Sequence, residues 1–455
     1  MKILAPKKHN LPPGPSTFEL WGDAPTESNQ LLLDYPLSLM PKYGDIIRFP
    51  SSPREPMIYV MNPDVIDKIL KKSRDIYIKD NKAYRSFWPT IGYSMLTSDK
   101  EDWQHARQHV QPAFHRQHLD SYFPMIVNCA QQATTRWLHI ANNARVIDVH
   151  KEMALLTIDM VSQALLSTPL GEQKFPLLHF IERLNQQSHH RYPRFIPTLD
   201  NIEYMYTRWR THRIVNKIIK EHKSPEYPDV IDLLSNPKTP RPQTRPLHEE
   251  LRDEIKTMLV LGHESSACAL SWFWLHLDQN PEYLARVLEE IETVVGQRPI
   301  ELADLPNLVF TKAMLEEVLR FYPTAWQTTR KNTEPDEIGP YDIPANSIIG
   351  LHFYGLQRHP DHWENPNTFD PERFLPGRKE KINKAAYLPF GTGPRVCIGS
   401  QLSFMQSLVI ITTLLQKFRL VDVSIKPVTP WALVSLRTPK HFRMEIRKVI
   451  KMNTK

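Results

Sequence analysis

A chain of 455 residues, 41% of them hydrophobic, can bury a large core, and length alone allows about three domains as a soft prior. Lys and Arg total 57 against 50 Asp and Glu, a formal charge of +7 scattered along the chain, which suits an acidic protein partner or a membrane surface and excludes dedicated nucleic-acid binding. Three cysteines, Cys129, Cys268 and Cys397, are far apart and odd in number, which argues against a disulfide framework and for a reducing compartment.

The first ten residues, MKILAPKKHN, form a basic tail without the apolar run that a signal peptide or membrane anchor needs. The expectation is a cytoplasmic chain with no transmembrane anchor, its charge compatible with peripheral contact at a membrane. Residues 11–455 read as one domain, mainly α with small β regions near the ends. IIRFP (46–50) and MIYVMNP (57–63) have the pattern of paired strands. In EDWQHARQHVQPAF, Trp103 and Arg107 stand four apart and share a helical face. The middle of the chain is helical, and NPKTPRPQTRPLHEE (236–250), with four prolines among polar residues, reads as a surface connection.

Residues 249–279, stopped by Asn280-Pro281, predict one helix spanning roughly 46 Å at 1.5 Å per residue. Its apolar part is interrupted by Gly262, His263, Glu264, Ser265 and Ser266, ionisable or polar groups that are expensive in lipid. A helix through the protein interior is therefore expected. PEYLARVLEEIETVV, closed by Gly296, and LVFTKAMLEEVLRFYP, closed by Pro323, predict two more helices; strand signals return in IIGLHFY (348–354) and in ALVSLRTPKHFRMEIRK.

The stretch FGTGPRVCIG (390–399) concentrates chemistry. A lone cysteine is most often a small buried hydrophobe. Here Gly391, Gly393 and Gly399 allow a close backbone approach to something bulky, and Arg395 puts a cation two residues from the sulfur. Iron–sulfur and structural zinc sites want several ligands at short spacing, and no CxxC occurs. The GTG is no dinucleotide fingerprint, because Val396 stands where a third glycine would fall. A cysteine nucleophile with a distant histidine stays open, and so does thiolate ligation of haem iron.

FGTGPRVCIG resembles the haem-binding loop of the cytochrome P450 family, with Phe390, Gly393, Arg395, Cys397 and Gly399 at the family's positions. The resemblance runs from about residue 11 to the end. Glu317-Val-Leu-Arg320 matches the family's Glu-x-x-Arg helix, and FDPERF supplies Arg373; together they imply a buried structural network holding the loop. Trp103 and Arg107 match Trp-x-x-x-Arg, implying contacts to a haem propionate, as do Arg395 and Arg330. LGHESSA resembles the oxygen-binding motif, with Gly262 letting dioxygen approach and Glu264 and Ser265 relaying protons. Two departures are Leu261 for a small residue and Ser265 for the usual threonine, which leaves the hydroxyl rotamer less restricted.

The resemblance implies the P450 fold and a haem-thiolate monooxygenase. It would hold haem b, with Cys397 as axial iron ligand, and insert one oxygen atom from O2 into an apolar, lipid- or terpenoid-like substrate. Electrons would come from a ferredoxin, flavodoxin or flavoprotein reductase docking near Arg378, Lys379, Lys381, Lys384 and Arg395. Residues 84–95, 192–209 and 325–328 would border the substrate. The alternatives are a peroxygenase or peroxide isomerase, which needs no donor, and a non-catalytic haem sensor or carrier.

Overall fold

The computed structural model describes residues 10–19, 28–51, 55–72, 76–143, 145–187, 198–237 and 245–449. Residues 1–9 of the basic tail, residues 238–244 of the proline-rich connection, and residues 192–197 of the expected substrate border lie outside them. The fold is mainly α with small sheets, as the sequence indicates. The chain builds two compact units interleaved in sequence: Met1–Ser86 with Ala325–Thr368 and Ile382–Cys397, and Phe87–Thr324 with Phe369–Lys381 and Ile398–Lys455.

The first unit centres on a five-stranded sheet in the order Ile46–Phe49, Met57–Val60, Ile348–Leu351, Thr328–Asn332, Tyr77–Ile78. Met57–Val60 pairs parallel with Ile348–Leu351, and the other pairings are antiparallel. Its branched aliphatic residues make the core: Ile58, Val60, Ile349 and Leu351 are fully buried, packed with Ile66 and Ile69 of helix Pro63–Lys71. That helix starts where Asn62 accepts the Val65 N–H at 3.0 Å and Pro63 pre-sets the first turn. The strand expected over residues 348–354 ends at Leu351, because His352 turns the chain into helix Phe353–Leu356, its Nδ1 accepting the Gly355 N–H at 3.0 Å.

The second unit is helical around the 33-residue helix Leu247–Gln279, the central helix, which opens two residues before the expected start. It packs along helix Val149–Leu166 so closely that a Cβ on Gly262 would lie 2.8 Å from Val161 Cγ1. Helices Pro281–Val294, Val309–Phe321 and Ser400–Leu415 surround it, with a three-stranded sheet (Val146–Ile147, Met444–Lys448, Phe418–Asp422) and the short hairpin Trp431–Ala432 with Leu436–Arg437. No single helix among the described residues is long and apolar enough to cross a membrane; Val149–Leu166 with Gly171–Arg183 passes that test only as a pair bent by 116°.

Candidate active site

In the first unit the cysteine loop is shaped by two left-handed glycines, Gly391 (φ +68°) and Gly393 (φ +73°). A Cβ on Gly393 would lie 2.7 Å from the Leu70 carbonyl oxygen, so this loop seats against the end of helix Pro63–Lys71 only with glycine there. Fully buried Gln357 holds the loop's approach by accepting the Leu388 N–H at 3.1 Å, and the Cys397 N–H donates to the Phe390 carbonyl at 2.9 Å. Cys397 is exposed, beside exposed Val396.

The other two cysteines are buried, and burial pushes the Cys129 thiol up to about 11 and the Cys268 thiol well above its ordinary value. Arg330, on strand Thr328–Asn332, is 3% exposed. It donates to Thr328 Oγ1 at 3.1 Å and to the Thr329 carbonyl at 2.9 Å, while its Nε–H has no protein acceptor and no carboxylate pairs with it among the described residues. Phe390 and Arg395 are half-buried. Three residues beyond Cys397 a helix begins at Ser400, with Gly399 as its N-cap. Gly399 has an ordinary negative φ and its nearest neighbour to an added Cβ is 3.9 Å away, so backbone geometry does not demand glycine there.

In the second unit, Trp103 and Arg107 share one face of helix Lys100–Val110, Trp103 buried and Arg107 half-buried. Glu317 and Arg320 are both 0% exposed. Arg320 Nε and Nη2 donate to the two Glu317 oxygens at 2.7 and 2.8 Å, Arg373 Nε is 3.7 Å from Oε1, and the Asp370 N–H donates to Oε1 at 2.8 Å. This joins helix Val309–Phe321 to the FDPERF segment.

Along the central helix, Leu261 is 40% exposed and Gly262 and Ser265 half-exposed, an open strip in a helix otherwise buried through its middle. Ser265 donates its hydroxyl proton to the Leu261 carbonyl at 2.9 Å. Glu264 does not meet it: about 100° around the helix, its carboxylate takes Arg437 Nε at 2.5 Å and Nη2 at 2.7 Å, and the Ser435 hydroxyl at 2.5 Å. Burial works to raise this carboxyl, but Arg437 and His150, whose Nε2 is 3.7 Å away, leave it well below the usual range. Gly262, expected to open the helix to dioxygen, is where the central helix packs against Val161.

The first third of the central helix grips residues 90–97. Asp253 accepts the Tyr93 N–H at 3.3 Å, Glu254 the Met95 N–H at 2.6 Å, and Thr257 donates to Ser94 Oγ at 2.7 Å. Burial pushes the Glu254 carboxyl up to about 8.

The model of the family described as Cytochrome P450 matches residues 12–446. The chain belongs to the cytochrome P450 family. It is 28% identical over 413 residues to a cyclooctatin synthase of Streptomyces melanosporofaciens, covering 88% of each chain. It is 27% identical to a pentalenene oxygenase of Streptomyces avermitilis, covering 90% of this chain and 92% of that one. The crystal structure of a cytochrome P450DA heme domain superposes with a TM-score of 0.83 at 22% identity over 97% of both chains, a likeness of fold. The protein is accordingly an oxidoreductase, a P450 monooxygenase with a haem cofactor.

Sequence reading of this P450 missed Arg437, Ser435 and His150 around Glu264. An acid inside an apolar helix demands a buried cation or donors somewhere, but nothing in the sequence marks Arg437, 173 positions away, as that partner. Of the cations expected at a donor-docking face, Lys379 is bound to Glu316 at 2.7 and 2.8 Å and Arg378 to Asp370 at 3.0 Å, whereas Lys381 and Lys384 are exposed.

Proposed function

We propose that this P450 holds haem b through Cys397 and inserts one oxygen atom from O2 into a terpenoid- or lipid-like hydrocarbon, using two electrons from a ferredoxin, flavodoxin or flavoprotein reductase. The observation that carries the ligand assignment is that Cys397 is the one exposed cysteine of the three, in a loop whose glycines keep side chains off the backbone. Deprotonating Cys129 or Cys268 would cost more, since burial disfavours their thiolates. Arg330 fits a propionate, being a buried guanidinium with an unused donor; Trp103, Arg107 and Arg395 fill the same role by family position. No CxxCH is present for covalent attachment.

When bound, a haem with a thiolate ligand supplies dioxygen activation, because the thiolate favours O–O cleavage. The protein's part is to supply protons and exclude water. Ser265 is the hydroxyl on the open strip, able to turn from the Leu261 carbonyl and donate outward. By family position Glu264 is the source of its protons, and Leu261 presents apolar surface to the substrate. The terpenoid class is supported by the names of the Streptomyces relatives and by Leu261 in place of a small polar-tolerant residue.

The test is turnover under ¹⁸O-labelled dioxygen with a reconstituted donor chain, against a panel of cyclic terpenes and fatty acids. One labelled oxygen per product supports the reading. A second reading, a catalyst fed by peroxide, draws support from the Glu264 carboxylate being tied to Arg437 and Ser435 rather than to Ser265. Product formed only with added peroxide, its oxygen unlabelled, would favour that reading and sink the first.

A further inference from the structure

Helix Leu199–Glu221 ends at His222, and the connection that follows leads into helix Val230–Ser235, whose Val230, Ile231 and Leu234 are buried where it packs on helix Lys100–Val110 and the central helix. Asp229, 1% exposed, caps that short helix: its Oδ1 accepts the Ile231 and Asp232 N–H groups at 2.9 and 3.2 Å, and Asp232 Oδ2 accepts the Asp229 N–H at 3.3 Å. This capping box uses one oxygen of each carboxylate. Asp232 Oδ1 turns instead to His222 Nε2 at 3.1 Å and to the Ser224 hydroxyl at 2.6 Å. Asp229 Oδ2 is buried with no hydrogen bond, the nearby Ser167 side chain completing none to it. Asp229 Oδ1 stands 3.6 Å from His222 Nε2, beyond hydrogen-bond distance, so a ring N–H there serves Asp232 and leaves Asp229 unserved. Among the described residues no Lys or Arg pairs with either carboxylate.

We propose that His222, Asp229 and Asp232 bind one zinc ion, which pins the connection between the two helices. His222 Nε2 and an oxygen of each carboxylate lie within 4.8 Å of one another. Donors about 2.0–2.2 Å from a tetrahedral zinc stand roughly 3.3–3.6 Å apart, and the imidazole nitrogen is 3.1 and 3.6 Å from the two carboxylates, so the trio takes up the ion with small shifts. Two carboxylates and a neutral imidazole balance a dication. The sealed Asp229 gains the counterion it lacks, and its unused oxygen gains a partner. An imidazole beside carboxylates suits zinc, whereas magnesium and calcium take sets made of oxygens. Ser224 is exposed, which gives the ion an entry from solvent and leaves the fourth position to its hydroxyl or to water. None of these residues is assigned to the haem, so the site is independent of the monooxygenase reading.

The experiment strips the holoenzyme with a chelator, equilibrates it with zinc chloride at micromolar free zinc, and counts zinc and iron in the same sample by mass spectrometry. Wild type should take up one zinc per iron, and absorption at the zinc edge should show one imidazole among oxygen donors at about 2.0–2.1 Å. His222→Gln, Asp232→Asn and Asp229→Asn should each weaken binding at least tenfold while keeping haem content; asparagine also caps a helix, so the Asp229 variant retains that function. His179→Gln, which alters a histidine–carboxylate pair elsewhere, with Nε2 2.8 Å from Glu203, should bind as wild type does. Zinc should raise the melting temperature of wild type and leave that of Asp232→Asn unchanged, since a ligand of the folded state alone stabilises it. If wild type takes up no zinc, or all three site variants bind it as well as wild type, the trio is a helix cap braced by a histidine and the proposal falls. Should one variant fail to fold, the other two and the zinc-edge spectrum of wild type decide: an edge without an imidazole donor overturns the assignment.

Discussion

Removing Glu317 should unfold much of the helical unit's stability at one stroke. Glu317→Ala leaves Arg320, at 0% exposure, without its two charged acceptors at 2.7 and 2.8 Å. It also strips the Asp370 N–H of its acceptor at 2.8 Å and leaves Arg320 and Arg373 as like charges with no anion between them. Breaking a buried pair by deleting one partner costs about 3–5 kcal/mol. Arg320→Met should cost a similar amount, since it takes from a buried carboxylate its two charge-assisted hydrogen bonds. Replacing both, as Glu317→Leu with Arg320→Met, should cost well under the sum, with about 1–3 kcal/mol remaining from the orphaned Asp370 N–H. The assay is urea unfolding of the single and double variants at neutral pH, followed by helical circular dichroism. A loss below about 1 kcal/mol for Glu317→Ala, the range of an exposed pair, would refute the network reading.

Gly393→Ala should lower thermal stability and haem retention more than Gly391→Ala: both force an L side chain to positive φ, at about 1–2 kcal/mol, but only at Gly393 does the new Cβ meet a backbone oxygen, 2.7 Å away. Ser265→Ala should bind substrate normally, read from the shift in the haem spectrum, yet divert electrons to hydrogen peroxide, whereas Ser265→Thr should couple at least as well as wild type; equal coupling in all three would make Ser265 a packing residue. Lys381→Glu with Lys384→Glu should slow haem reduction by an acidic donor, more at low salt, where screening is weak; rates unchanged at low salt would remove this face as the docking site.

Local pattern made several of these elements legible. Asn280-Pro281 marks the end of the central helix, and β-branched and aromatic residues mark Ile46–Phe49 and Met57–Val60. Glu317 and Arg320 are paired by their three-residue spacing, although spacing alone reads equally as a surface pair; only the fold shows both at zero exposure. What stayed hidden depends on distant segments meeting. The Arg437 clamp joins residues 173 apart, and the packing of Gly262 on Val161 depends on how two helices cross. Residues 348–354 misled because Ile, Leu, Phe and Tyr suit a strand, while a buried histidine cap at His352 ends it. Lys379 read as a free surface cation for want of any sequence sign that Glu316 would take it.

The ferrous carbon monoxide spectrum of purified protein and of its three single cysteine variants tests the central claim most directly. Cys397→Ala should abolish the strongly red-shifted Soret band of thiolate ligation, while Cys129→Ala and Cys268→Ala, which alter buried thiols, should keep it. Retention of that band in Cys397→Ala would contradict the account.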